Sequence, residues 1–170
     1  MIKLLLSIIL ILSSYLPVQV LEKQLVAITI LIEKIEEKKL EIFKVGSRPQ
    51  KKASSDYFHG NVLQNLIIEA PEPARVRAIK VSFEPKARTA WHTHPLGQTL
   101  FVVSGVGLVG LRNKAPQIIN VGDSVWIPPN EEHWHGATKD SSMEHIAIQE
   151  ALDGKVADWL EQVLDDDYHL

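Results

Sequence analysis

The chain has 170 residues, no cysteine, 18 lysines and arginines against 21 aspartates and glutamates, and a formal charge of -3. That length suits one domain with a substantial core and is short for two. Disulfides, thiolate zinc sites and thiol catalysis are excluded, and the mixed charges offer no basic stripe for nucleic acid.

Lys3 precedes an apolar run, Leu4 to Leu12, which continues to Pro17. A short positive start before such a run resembles a secretory signal, although no Ala-x-Ala-like cleavage site follows. Neither this run nor the second one, Leu25 to Ile32, reaches the roughly 20 apolar residues that span a bilayer. Two readings stay open, an uncleaved anchor or export signal and an extension that packs. Membrane contact is expected only through residues 1–32, and the location follows from the same choice: cytoplasm, periplasm or membrane-attached. Leu25, Ile28, Ile32, Ile35 and Leu40 stand near helical spacing, so residues 22–43 have helical character. The run Glu33-Lys34-Ile35-Glu36-Glu37-Lys38-Lys39 is a solvated helix face. Residues 1–40 are therefore an apolar, helical extension, and residues 41–170 the main domain.

Past Lys44 the texture becomes β. Gly46 to Asp56 is loop-like, Asn61 to Ala70 a first strand, and Pro71 and Pro73 stop it. Ile79, Val81 and Phe83 alternate with Lys80, Ser82 and Glu84, the clearest period of two in the chain. Thr89 to Thr93 is extended. Thr99 to Val103 is a strand, Ser104-Gly105-Val106-Gly107 a hairpin turn, and Leu108 to Leu111 the returning strand. Gln117–Asn120, Ser124–Ile127 and Met143–Gln149 follow as short strands. This cadence of strands and turns predicts an all-β sandwich or barrel. Val156, Trp159, Leu160, Val163 and Leu164 then repeat at i, i+3, i+4, i+7, i+8. They predict a C-terminal helix docked on the barrel's outer wall by Trp159.

The histidines organise the rest. His92 and His94 stand two residues apart, so in an extended strand both imidazoles aim at one point. Gln98 follows, and His133 and His135 lie some forty residues on. A third imidazole from His133 and the Gln98 amide oxygen would complete a mononuclear metal site. Such donors suit Mn, Fe, Ni, Zn or Cu, and all are neutral, so a divalent ion would keep its full charge and polarise an oxygen-donor substrate. His145, Ala147 and Gln149 share one strand face. If buried, that polar stripe needs a ligand cavity, with His145 exchanging the proton, Gln149 orienting a small-molecule substrate, and Ile79, Val81 and Phe83 forming an apolar wall. If not, His145 and Gln149 face solvent. His135 either supports a ligand by a hydrogen bond or is a further acid–base group.

These residues carry a resemblance to the cupins. Their first motif, glycine, five residues, His-x-His, an acidic residue and a later glycine, reads here as Lys86, His92-Thr93-His94, Gln98 and Gly105. Their second reads as Gly122, Pro128, Asn130 and His133. Lys86 and Asn130 replace turn glycines, and Gln98 replaces an acidic ligand. The resemblance covers roughly residues 42–168 and implies a double-stranded β-helix, the jelly-roll barrel. The stretches Thr89 to Leu100, His133 to Ala137, His145 to Glu150 and Asp153 to Trp159 resemble small bacterial cupins with three histidines and one glutamine at the metal. Some of these are manganese-dependent hydroxynitrile lyases. The resemblance therefore implies manganese, with iron, zinc or nickel as alternatives, and cyanohydrin-type carbon–carbon cleavage by Lewis-acid and histidine acid–base catalysis. It also implies a homodimer or homotetramer. A cupin dioxygenase and a non-catalytic metal or small-ligand binding module are the competing functions. Fold does not decide among them.

Overall fold

The computed structural model describes residues 17–35 and 40–168. The chain falls into two compact units, Met1–Phe43 and Lys44–Leu170. In the first, helix α1 spans Val18–Ile35. It starts four residues before the expected helical stretch, and Glu41 to Phe43 are not helical. No described helix is long and apolar enough to cross a membrane. The apolar run Leu4 to Leu12 lies outside the described residues.

The second unit is β. Its strands are β1 (Lys51–Lys52), β2 (Phe58–His59), β3 (Val62–Glu69), β4 (Val76–Phe83), β5 (Arg88–Thr89) and β6 (His92–Thr93). They continue as β7 (Gln98–Leu111), β8 (Gln117–Asn120), β9 (Ser124–Ile127), β10 (His133–Ala137), β11 (Met143–Glu150) and β12 (Asp158–Trp159). The pairing order is β1-β3-β4-β11-β7-β10-β5-β2, with β6, β8, β9 and β12 joined at the sides. This is an all-β curled sheet. Alternation decides what points inward: on β11, Met143, His145, Ala147 and Gln149 are buried, and the residues between them are more exposed. Val81, Phe83, Leu100, Val102, Ile127 and Met143 form the apolar core beside them. Each such side chain contributes roughly 1.5–3 kcal/mol by leaving water.

Two segments differ from the sequence reading. No hairpin forms at Ser104–Gly107. β7 runs unbroken for 14 residues, pairs β11 through Gly105, and then pairs β10 and β8. Gly105 has φ 72°, and a Cβ there would collide with the Ser142 carbonyl. The glycine lets one strand change partners without turning back.

The second correction is the C-terminal segment. Residues 156–164 are not helical; Asp158–Trp159 pair with β6, and only Asp165–Tyr168 form a short helix, α2. Nine residues are too few for a stable isolated helix, so tertiary partners choose the conformation. Here the Leu160 N–H donates to the Trp91 carbonyl at 2.8 Å, and the Trp91 N–H donates to the Glu161 carbonyl at 2.9 Å. Buried Arg88 donates to the Val163 carbonyl at 2.9 Å, and the Tyr168 hydroxyl donates to the Ala137 carbonyl at 2.8 Å. These bonds strap the tail across the barrel.

The two departures from the turn glycines have a backbone signature. Lys86 (φ 70°) and Asn130 (φ 61°) both adopt the left-handed conformation. Asparagine tolerates it; lysine pays about 1–2 kcal/mol.

Candidate metal centre

β6, β7, β10 and β11 bring the chemistry together. His133 lies opposite His92 in the β10–β6 pairing, and Gln149 lies opposite Gln98 in the β11–β7 pairing. His92, His94, Gln98, His133, His135, His145 and Gln149 are all buried. His145 has no exposed surface at all, which rules out the solvent-facing reading of this strand face.

Three imidazoles share one arrangement. The Nδ1 atoms of His92, His94 and His133 lie 3.0, 2.6 and 2.8 Å from the carbonyl oxygens of Ala90, Val156 and Glu131. A carbonyl only accepts, so each Nδ1 carries the proton and each Nε2 keeps its lone pair. The rings are close: centroids of His92 and His133 are 4.1 Å apart, His92 and His94 5.1 Å, His94 and His133 5.5 Å. Gln98 Nε2 donates to Gln149 Oε1 at 3.3 Å, which leaves Gln98 Oε1 3.3 Å from His133 Nε2. Two acceptors thus face each other, and the buried His94 Nε2 has no hydrogen-bond partner among the described residues. A cation would give these lone pairs the partner they lack, so the donor chemistry fits a metal ion.

His135 differs. Its Nδ1 faces His145 Nε2 at 3.1 Å rather than a carbonyl. Its Nε2 and His145 Nδ1 are buried and without hydrogen-bond partners among the described residues. His135 is also near the other rings: His92, His133 and His135 can each offer a ring nitrogen within 4.8 Å of the others, a triad that could hold a metal.

Burial holds every one of these imidazoles below the ordinary value of 6.5. His133 is held down to about 4 and His145 to about 3, both chiefly by desolvation. His92 and His135 lie well below 6.5 through desolvation, and then through repulsion from His133 and from His145 respectively. Desolvation also lowers His94, against its bond to Val156. Neutral rings at pH 7 are what ligation requires.

Beside the histidines lies a cavity of about 270 Å³. His92, His94, Gln98, His135 and Gln149 reach it, and Ile79, Val81 and Ala147 supply apolar lining. Two expectations change here. Phe83 does not line the cavity; it lies in the core with its ring 5.9 Å from His135 and 5.5 Å from His145, because the strand face it shares with Ile79 and Val81 runs past the cavity's end. His145 does not line it either, and stands behind His135.

The sequence reading missed the tail's part in this site. Val156, Ala157 and Trp159 line the cavity. Trp159 stacks on His92 at 4.7 Å and on Tyr57 at 4.8 Å, and the Val156 carbonyl orients His94. The chain is 50% identical over 129 residues to the (R)-mandelonitrile lyase of Granulicella tundricola, covering 76% of this chain and 98% of that protein. A family model described as Cupin domain matches residues 79–149. The chain is a cupin. Among solved structures, a cupin-like protein of Thermotoga maritima is 40% identical to this cupin, with a TM-score of 0.66 and coverage of 76% and 95% of the two chains. The polyketide cyclase RemF of Streptomyces resistomycificus shares the fold at 13% identity, with a TM-score of 0.61, over 76% of this cupin and 91% of that chain.

Proposed function

We propose that this cupin is a metal-dependent lyase that cleaves a small cyanohydrin-type substrate. The observation that carries the reading is the division of the histidines around one cavity. Three present Nε2 lone pairs fixed by backbone carbonyls, and a fourth, His135, reaches the cavity backed by His145. Half-identity to a mandelonitrile lyase supports it.

His92, His94, His133 and Gln98 would hold the ion, and manganese is the ion the family resemblance puts first. A divalent ion there supplies Lewis acidity toward a substrate hydroxyl, lowering its pKa. When the His135 Nδ1–H donates to His145 Nε2, His135 Nε2 carries a lone pair directed at the cavity. His135 then takes the hydroxyl proton. The oxygen's electron pair forms the carbonyl as the carbon–carbon bond breaks, and cyanide leaves with the bonding pair. His135 returns the proton to cyanide, so the products are an aldehyde or ketone and hydrogen cyanide. His145 holds the ring by accepting from its Nδ1–H. Gln149 fixes Gln98 through its amide and lines the substrate's side of the cavity.

The absence of a carboxylate among these donors stands against oxygenase chemistry of the two-histidine, one-carboxylate kind. The assay is direct. Manganese-loaded protein is expected to release benzaldehyde from mandelonitrile, and chelator-stripped protein to run at the background rate. A loaded protein that gives no release removes the lyase reading for that substrate.

A further inference from the structure

Among the described residues, the cavity has one formally charged lining residue, Arg77, and no carboxylate among its lining side chains. Arg77 belongs to the inward face of β4 with Ile79 and Val81. It lies opposite Gln149 in β11, and Gln149 lies opposite Gln98 in β7, so the three share one rung of adjacent strands. Neighbouring strands are spaced by about 4.8 Å, which puts the Arg77 backbone roughly two spacings from Gln98. Arg77 also borders the neighbouring surface pocket with Glu69, Ala70 and Val156, so it stands at the solvent end of the cavity.

Its own interactions are incomplete. Among the described residues, Arg77 Nε is buried without a partner, and the one ion pair of its guanidinium, to exposed Glu69, is long at 3.8 Å. An exposed pair of that length is worth little and is easily exchanged for a ligand. A guanidinium presents a planar fork that matches a carboxylate with two parallel bonds.

From this placement we infer that the substrate carries a carboxylate at the end remote from its reacting hydroxyl, and that Arg77 at the cavity mouth binds it. The inference rests on the proposed reading of the site and narrows it to hydroxylated carboxylates, such as the cyanohydrin of an oxo acid. Distal placement follows from the geometry: the buried imidazoles define the reacting end, and Arg77 the open end.

The test is calorimetric binding to the manganese-loaded full chain, with 4-(hydroxymethyl)benzoate and its neutral isostere 4-(hydroxymethyl)benzamide as probes. The wild type is expected to bind the acid roughly tenfold or more tightly than the amide. Arg77→Gln should erase that preference with metal content unchanged, and Arg77→Lys should keep part of it. Glu69→Gln, which frees the guanidinium, should tighten the acid a few-fold and leave the amide unchanged. Equal binding of acid and amide by the wild type overturns the inference. So does a preference that survives Arg77→Gln, because the carboxylate would then be held by the metal alone. Should Arg77→Gln not fold, an unchanged acid affinity in Glu69→Gln decides against it. Because these measurements need no turnover, failure of mandelonitrile cleavage leaves them standing. Cleavage without a preference for the acid retires the carboxylate and keeps the lyase.

Discussion

Two groups of histidines, a few ångströms apart and equally buried, are prepared for different work. In His92, His94 and His133 a backbone carbonyl holds each Nδ1–H, so the tautomer is fixed and one lone pair is presented. In His135 and His145 the rings hold each other at 3.1 Å, and a proton can sit at either. On the proposed reading, the partner of the far nitrogen, rather than burial or spacing, separates a ligand from a proton carrier.

The sharpest way to break that contrast is His135→Ala. It is expected to cut mandelonitrile cleavage roughly 10²-fold or more while metal content stays at the wild-type level; activity close to wild type would remove His135 from the proton transfer. Acid titration of the metal-free protein reads the same histidines through stability. Each imidazole accepts a proton in the unfolded chain near 6.5 but resists it when folded, down to about 4 for His133 and about 3 for His145. Stability is therefore full above about pH 6.5 and falls as pH drops toward 4 and then 3. His133 alone should account for a loss on the order of 3 kcal/mol by pH 4. Urea unfolding from pH 7 to 4.5 checks this, and a flat profile would contradict the buried neutral rings. His145→Ala removes only the support of His135, so turnover should fall about tenfold, less than for His135→Ala, with metal retained. Equal losses would show His145 to be the group that meets the substrate.

The smallest effect lies away from both groups. Lys86→Gly should stabilise the fold by about 1 kcal/mol, since lysine there holds φ 70°. Thermal unfolding of metal-free protein reads it, and no gain would mean that another contact of Lys86 offsets the backbone cost.

Much of this was legible in the residues. The alternation of Ile79, Val81 and Phe83 announces β4, and His92-Thr93-His94 announces two imidazoles on one face, because both are local consequences of a period of two. The tail was not legible. Val156, Trp159, Leu160, Val163 and Leu164 fall at helical spacing, yet the segment is extended because its partners, the Trp91 backbone and the rings of Tyr57 and His92, come from far along the chain. The order of His135 before His145 was likewise hidden, since strand parity gives a direction but not a depth. Phe83 shows the same gap: it shares a face with Ile79 and Val81 but lies beyond the cavity. Only Arg77 carried a usable hint, being an inward position on the clear alternation of β4 occupied by a charge.

Metal content of two single variants, His94→Ala and His135→Ala, bears most directly on the division of labour. Both ring centroids lie within 5.2 Å of His92, but ring-nitrogen distances group His135, not His94, with His92 and His133, so the choice of His94 rests on its carbonyl-held tautomer and not on proximity. We expect His94→Ala to lose bound metal, with affinity down by roughly 10²-fold or more, and His135→Ala to keep one equivalent per chain. Retention in His94→Ala together with loss in His135→Ala would make His92, His133 and His135 the ligands, and would contradict the account.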